Sequence, residues 1–95
     1  MSDAAMLRII RRLARDSCNV FVTSHAKKRM KQRRITLMQV LSCLRKGVIT
    51  EPVHQDINGD WKCTMLYRWA GDEVSVATAL RRGNEGEWIA VVTVF

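Results

Sequence analysis

Apolar residues recur with a helical period in the first half of the chain and with a period of two in the second half. Residues 3–15 show the helical period, because their apolar side chains recur three or four positions apart: Met6, Ile9, Ile10 and Leu13. Four arginines lie mostly off this stripe: Arg8, Arg11, Arg12 and Arg15. The pattern predicts a basic amphipathic helix within residues 1–16 that packs its apolar side on the domain core.

Two further helices are predicted within a basic module at residues 21–47. The first of them runs from about His25 to Arg33, after a hydroxyl residue that can cap its first turn. The next begins after Thr36, which matches a capping box with Gln39. We expect it to end at Gly47 in the left-handed conformation that often terminates a helix.

The remaining residues, 48–95, alternate in the way that is typical of strands. Four strands are predicted, with short turns or loops between them: Val48–Gln55, Trp61–Trp69, Val74–Arg81 and Trp88–Phe95. In the second of these, Trp61, Met65 and Trp69 share one face, and we expect a helix to bury them. Residues 19–23 are interpreted as an extended lead-in to a helix. The predicted fold class is α+β: three N-terminal helices, then a four-stranded antiparallel meander covered by helix.

Length and composition indicate a single domain, residues 1–95, with 47% apolar and 26% charged residues. No apolar run is long enough to span a membrane or to form a secretory signal, so a cytoplasmic chain without membrane contact is expected. The cysteines show no CxxC spacing and are interpreted as small buried thiols: Cys18, Cys43 and Cys63. Neither a metal site nor a cofactor is expected, since no Walker, GxGxxG, HExxH or GxSxG motif is present.

Positive charge is concentrated in the first half of the chain. Residues 1–47 carry 12 lysines and arginines against two aspartates, whereas residues 48–95 carry four against seven acidic residues. The net charges are therefore +10 and −3, which sum to +7. This imbalance favours a polyanionic partner, above all nucleic acid. The alternatives are a solvated basic face and a surface that docks an acidic protein.

The second predicted helix places a histidine beside a row of cations. His25, Arg29 and Arg33 lie one above the other, because they are four residues apart. A neutral imidazole can take the proton of a ribose 2′-hydroxyl, and guanidinium groups can stabilise charge on the phosphate oxygens. Further phosphate contacts are expected from nearby or strand-borne cations: Lys27, Lys28, Arg34, Arg68 and Arg81. The spacing alone equally allows phosphate binding without chemistry, or a solvated face.

The same segment resembles a widespread bacterial family of domains of unknown function. The pattern is F-x-T/S-x-H-A-x-x-R-M-x-x-R, and it is carried by Phe21, Thr23, His25, Ala26, Arg29, Met30 and Arg33. The closing stretch Val91–Phe95 also resembles the family, so the resemblance spans about residues 21–95. Arg34 departs from the pattern, since a glycine is more usual before the isoleucine.

This family is similar to the small ribonuclease folds of RelE-type toxins, colicin nucleases and EndoU. The similarity implies a RelE-like fold and RNA cleavage without a metal ion. It marks His25, Arg29, Arg33 and Thr93 as the catalytic residues, although Thr93 is equally consistent with an ordinary strand threonine.

The leading hypothesis is a small ribonuclease-like domain, such as the toxin of a toxin–antitoxin pair. In it, His25 is the base, Arg29 and Arg33 stabilise the transition state, and Thr93 contacts or orients the phosphate. The expected partners are RNA and an acidic antitoxin-like protein. The rival hypotheses are a nucleic-acid-binding module without catalysis and a basic interaction domain that docks an acidic protein.

Overall fold

A computed structural model describes all residues from Met1 to Phe95. In chain order the elements are α1 (Asp3–Ala14), a 3₁₀ turn (Ser17–Asn19), β1 (Val20–Val22), α2 (Ser24–Arg33), α3 (Leu37–Lys46), β2 (Val48–Gln55), β3 (Trp61–Trp69), β4 (Asp72–Gly83) and β5 (Gly86–Val94). The strands form one sheet in the order β1-β5-β4-β3-β2. Strands β2 to β5 pair antiparallel with their neighbours, whereas β1 runs parallel to β5.

The parallel strand β1 corrects the predicted fold class. A RelE-like four-stranded antiparallel meander is wrong for this chain, because Val20–Val22 adds a fifth strand and makes the sheet mixed. Val20 pairs with Ile89 and Val22 pairs with Val91. The residues of β1 indicated extended backbone, but three residues are too few to show a period or to specify a partner strand. The α+β class remains, with a five-stranded sheet.

The core lies between one face of the sheet and helices α1 and α3. The strands supply alternate residues to this face, since side chains on a strand point to opposite faces in turn. In the pairing of β3 with β4, Cys63 lies opposite Thr78 and Met65 lies opposite Val76, and all four are buried. Helix α3 covers them with three fully buried residues: Val40, Cys43 and Leu44.

Helix α1 is an integral part of this core, as its apolar stripe predicts. Its buried residues are Met6, Ile10, Leu13 and Ala14. Ser2 caps its first turn by accepting a hydrogen bond from the amide of Ala5 at 3.1 Å. At 12 residues α1 is the longest helix, and no helix of the chain has the length and apolar character needed to cross a membrane.

Strand β3 extends beyond the helices that cover it. Trp61, Met65 and Trp69 share one face as predicted, because β3 pairs with β4 along its whole length without a register shift. Met65 is fully buried and Trp61 packs against the core, but Trp69 is 38% exposed. The predicted burial of Trp69 is wrong, since alternation assigns a face but not the reach of a helix. The Trp69 ring packs edge to face on Tyr67, with centroids 6.2 Å apart.

Gly47 ends α3 through a close approach of two backbones. Its φ of −74° and ψ of 179° are extended, so the predicted left-handed conformation is wrong. A Cβ at this position would lie 2.5 Å from the carbonyl oxygen of Cys43 and 2.6 Å from that of Leu66. Glycine is therefore required because β3 passes directly beside the end of the helix.

Two of the three cysteines are buried thiols, as predicted, whereas Cys18 is exposed. Burial raises the pKa of Cys43 to about 12 and that of Cys63 to about 12. Both buried thiols therefore stay protonated at neutral pH, and they pack as small apolar groups.

Candidate nucleic-acid interface

Thr23 joins the start of α2 to the last strand. Its Oγ1 accepts a hydrogen bond from the amide of Ala26 at 3.1 Å and so caps the helix. The same hydroxyl lies 3.0 Å from the carbonyl oxygen of Val91 and 3.2 Å from that of Val92, and it donates its proton there. The backbone N–H of Thr23 also donates to Val91, at 3.2 Å. The first turn of α2 is therefore held in a fixed position beside β5.

His25 is exposed in the first turn of α2. Ala26 is fully buried and Met30 packs against the core, so these two residues anchor the helix on β5. The cap satisfies the amide of Ala26. The amides of Ser24 and His25 remain at the positive end of the helix dipole, where an anion can accept hydrogen bonds from them.

One flank of α2 carries His25 and Arg29. On a helix these two residues lie opposite Lys27. Lys27 lines a groove together with Leu37 and Leu41 of α3. The flank with His25 and Arg29 therefore faces away from α3.

A β-bulge turns Thr93 to the face of the sheet that α1 and α3 do not cover. Thr78 pairs with Val91 but the next residue of β4, Ala77, pairs with Thr93, so Val92 is an extra residue in β5. Regular alternation after Val91 would turn Thr93 into the core. The bulge instead places Thr93, which is half-buried, opposite Ala77 on the uncovered face. No sequence signal marked this bulge.

Arg33 lies apart from the other predicted catalytic residues. It follows His25 by eight residues, which is about 12 Å along a helix axis. It lines a cleft with Asp72 and Glu73 at the β3–β4 turn. No hydrogen bond or ion pair joins His25, Arg29, Arg33 and Thr93 to one another. His25 and Arg29 therefore lie about one turn apart, and Arg33 lies one turn further along the helix.

Ion pairs neutralise the cations of the second half of the chain but not those of α2. Each of the four cations after residue 47 lies near a carboxylate: Lys62 with Asp56 at 3.2 Å, Arg68 with Glu73 at 3.2 Å, Arg81 with Asp60 at 3.7 Å and Arg82 with Glu87 at 3.0 Å. The cations of α2 and its C-cap form no ion pair: Lys27, Lys28, Arg29, Lys31, Arg33 and Arg34. We call these six residues the α2 cation band. They are six of the 11 lysines and arginines that form no ion pair, and the other five lie on or next to α1 and α3.

The band contains only part of the predicted phosphate-contacting set. Lys27, Lys28 and Arg34 are exposed members of the band. Arg68 and Arg81 lie on the strands, where Glu73 and Asp60 offset their charge.

Arg34 ends α2 in a left-handed conformation, with φ of 55° and ψ of 41°. The chain then turns back, and the amide of Ile35 donates to the carbonyl oxygen of Met30 at 2.9 Å. Glycine is favoured at such a position, because a Cβ in left-handed backbone costs about 1–2 kcal/mol. The arginine that departs from the sequence pattern therefore occupies the position at which a glycine would be least strained.

Comparison with family models matches residues 22–95 to a family described as a domain of unknown function (DUF4258). The matched stretch contains the α2 cation band and strands β2 to β5, and it leaves out α1. No curated protein and no solved structure matches the chain. Within the chain, no group of three or more histidine, cysteine or acidic side chains is placed to hold a metal ion.

Proposed function

The chain belongs to the DUF4258 family, and we propose that this member binds RNA along α2 and cleaves it at His25 without a metal ion. The observation that carries the proposal is the α2 cation band, whose six cations form no ion pair with a carboxylate of the chain. Positive charge left unpaired on one helix attracts the phosphate backbone, because each neutralised phosphate releases condensed counterions.

Cleavage begins with proton transfer to the imidazole of His25. The ribose 2′-hydroxyl gives up its proton, and its oxygen forms a bond to the adjacent phosphorus. The bond from phosphorus to the 5′-oxygen breaks, and that oxygen leaves with a proton from solvent water. The products are a 2′,3′-cyclic phosphate and a 5′-hydroxyl end.

Charge on the phosphate oxygens is stabilised at the start of α2. Arg29 lies one turn after His25 on the same flank, and the free amides of Ser24 and His25 add donors to the same corner. Thr93, turned out of the core by the bulge, orients the phosphate. Arg33 holds a neighbouring phosphate at the far end of the helix.

Two finer parts of the proposal come from the sequence resemblance. One is kinship with RelE-type, colicin and EndoU ribonucleases, and the other is pairing with an acidic antitoxin. An acidic protein that covers the α2 cation band would compete with RNA for the same charges, so binding and inhibition would be one event. We place this activity in the cytoplasm, where RNA substrates are found.

Substitution of His25 separates catalysis from binding. His25→Ala is expected to lower the cleavage rate at least 100-fold, the usual contribution of a general base, with RNA affinity nearly unchanged. Arg29→Ala is expected to lower both, because its charge acts on the bound phosphate and on the transition state. Lys46→Ala removes an equal charge outside the band and serves as the matched control.

A labelled RNA provides both measurements, with affinity titrated at several salt concentrations and cleavage followed with and without EDTA. Affinity is expected to fall steeply with salt, and cleavage is expected to survive EDTA. Full activity of His25→Ala would rule out the catalytic role. Absence of binding at low salt would rule out RNA as the partner and leave an acidic protein in its place.

A nucleic-acid-binding module without catalysis is the second candidate. It is favoured by the surroundings of His25, because the ring of His25 has no hydrogen-bond partner. The other histidine, His54, does have one, the carbonyl oxygen of Pro52. General bases are commonly oriented by a further group. For such a module, RNA binds with the same salt dependence and remains intact in the same assay.

A further inference from the structure

An exposed pair of aromatic side chains lies beside the start of α2. Phe21 is the middle residue of β1 and is 58% exposed. Its ring meets the half-buried Trp88 edge to face, with ring centroids 6.0 Å apart and planes at 81°. The parallel pairing of β1 with β5 creates this contact, since Phe21 lies opposite Ala90, two residues from Trp88 on the same face. In this T-shaped pair neither ring stacks face to face on the other, so a flat ligand can stack on the exposed Phe21 ring.

The pair lines a cleft of about 520 Å³ beside the β4–β5 hairpin. The other walls of the cleft offer amide, carboxylate and backbone groups: Cys18, Asn19, Gly83, Asn84, Glu85, Gly86 and Glu87. An aromatic surface bordered by hydrogen-bonding groups matches the chemistry of a nucleobase, which has a π-face and a polar edge. The volume is within the usual range for a small-molecule site.

Arg81 lies against the same tryptophan. Its guanidinium carbon is 5.6 Å from the centroid of the Trp88 ring. Its Nε has no hydrogen-bond partner, since the nearest carboxylate oxygen, on Asp60, is 3.7 Å away. Arg81 therefore packs on the Trp88 ring and helps to hold it in place beside the cleft.

The aromatic pair is continuous with the α2 cation band. Phe21 also lines the groove that contains Lys27 of α2, and two residues of chain separate it from Ser24, the first residue of that helix. An RNA strand whose phosphates follow α2 therefore passes Phe21 as it leaves the start of the helix.

We propose that Phe21 and Trp88 form a stacking site for one unpaired base, and that the substrate of the chain is single-stranded RNA. This inference rests on the proposed binding of RNA by α2. Bases in a duplex are stacked and paired inside the helix and cannot enter the cleft, whereas the backbone of either form can follow the cation band.

The test compares a single-stranded 2′-O-methyl oligouridylate with a 2′-O-methyl duplex of equal length. The methyl groups block attack by the 2′-oxygen, so affinity is measured without cleavage. Phe21→Leu keeps an apolar side chain but removes the ring, and it is expected to weaken single-strand binding about 10-fold or more, the usual effect of losing one stacked base. Duplex affinity is expected to stay unchanged, and Phe21→Tyr is expected to restore single-strand binding.

Trp69→Leu removes another exposed aromatic ring, at the far end of β3, and is expected to change neither affinity. Circular dichroism checks that each variant is folded. Equal affinities of the Phe21→Leu and unsubstituted chains for the oligouridylate would overturn the stacking site while leaving RNA binding intact. Binding of neither nucleic acid by the unsubstituted chain would overturn the proposed function and the stacking site together.

Discussion

At the end of α2, a charged side chain occupies backbone that favours glycine. Arg34 has a φ of 55°, and it belongs to the α2 cation band. A residue that strains the backbone while adding exposed charge is typical of a site kept for binding rather than for stability. The strain at Arg34 is therefore consistent with the proposed binding of RNA by the α2 cation band.

Arg34→Gly is expected to stabilise the chain and weaken RNA binding. The free energy of unfolding is expected to rise by about 0.5–1 kcal/mol, since relief of the left-handed Cβ exceeds the added freedom of glycine in the unfolded chain. Arg33→Gly removes the same charge within the helix and is expected to lower stability by nearly 1 kcal/mol. Urea unfolding and RNA titration measure the two effects. A lower free energy of unfolding in Arg34→Gly would contradict the inference that the left-handed backbone of Arg34 is strained.

The sequence identifies part of the candidate site at this scale. The spacing of His25 and Arg29 predicts a shared helix flank, because a helical period depends on local sequence alone. The side of Thr93 is not predictable in the same way, since the bulge at Val92 arises from the pairing of β5 with β4. Phe21 is part of the pattern by which the sequence resembles its family. Its contact with Trp88 is not predictable from the sequence, because it requires the parallel pairing of β1 with β5, which no periodicity indicates.

Among the three α-helices, α2 buries the fewest residues. The helix has 10 residues, and Ala26 is its one buried residue. A helix of that length is marginal by itself. Its position therefore depends on the cap and cross-strand hydrogen bonds of Thr23, which connect it to β5.

Thr23→Val keeps the shape of the side chain but removes these bonds, and it is expected to lower the free energy of unfolding by about 1–2 kcal/mol. Thr36→Val removes the matching cap of α3, which has no bond to a strand, and is expected to cost about 1 kcal/mol. Cleavage is expected to fall only in Thr23→Val, because that change alone loosens His25. Chemical unfolding and the cleavage assay test both expectations. Equal effects of the two variants would contradict the idea that the hydrogen bonds of Thr23 to β5 hold α2 in position.

The bounds of the long strands were predictable from the sequence, whereas the place of the short strand β1 in the sheet was not. The bounds of Val48–Gln55 and Trp61–Trp69 agree with the alternation of the sequence. The capping box of α3 is also present as predicted. Strand β1 has three residues, so its place in the sheet depends on contacts with residues about 70 positions away.

Over the whole molecule, the hydrophobic core includes residues that lie outside the stretch matched by the family model. The match begins at residue 22, but the core includes Met6, Ile10, Leu13 and Ala14 of α1. Residues outside the matched stretch therefore supply part of the apolar surface that covers the sheet.

A chain that starts at residue 17 keeps the entire matched stretch and is expected to lose cooperative folding, because the sheet face under α1 becomes exposed. Ile10→Ala in the full chain is expected to cost about 2–5 kcal/mol, as for other buried large-to-small changes. Arg8→Ala, at an exposed position of α1, is the control and is expected to stay within about 0.5 kcal/mol. Circular dichroism during thermal unfolding measures all three. Cooperative unfolding of the shortened chain near the original midpoint would show that α1 is dispensable.

Placing β1 beside β5 also has a consequence for protein synthesis. The ribosome makes α2 long before residues 86–94, against which β1 and Thr23 form their hydrogen bonds. Until those residues emerge, the short basic helix has no strand to pack on, and contacts between such distant parts of a chain form late in folding. His25 and the aromatic cleft are therefore assembled only after β5 has been synthesised. Cleavage of RNA at His25, as proposed above, would therefore begin only after β5 has left the ribosome.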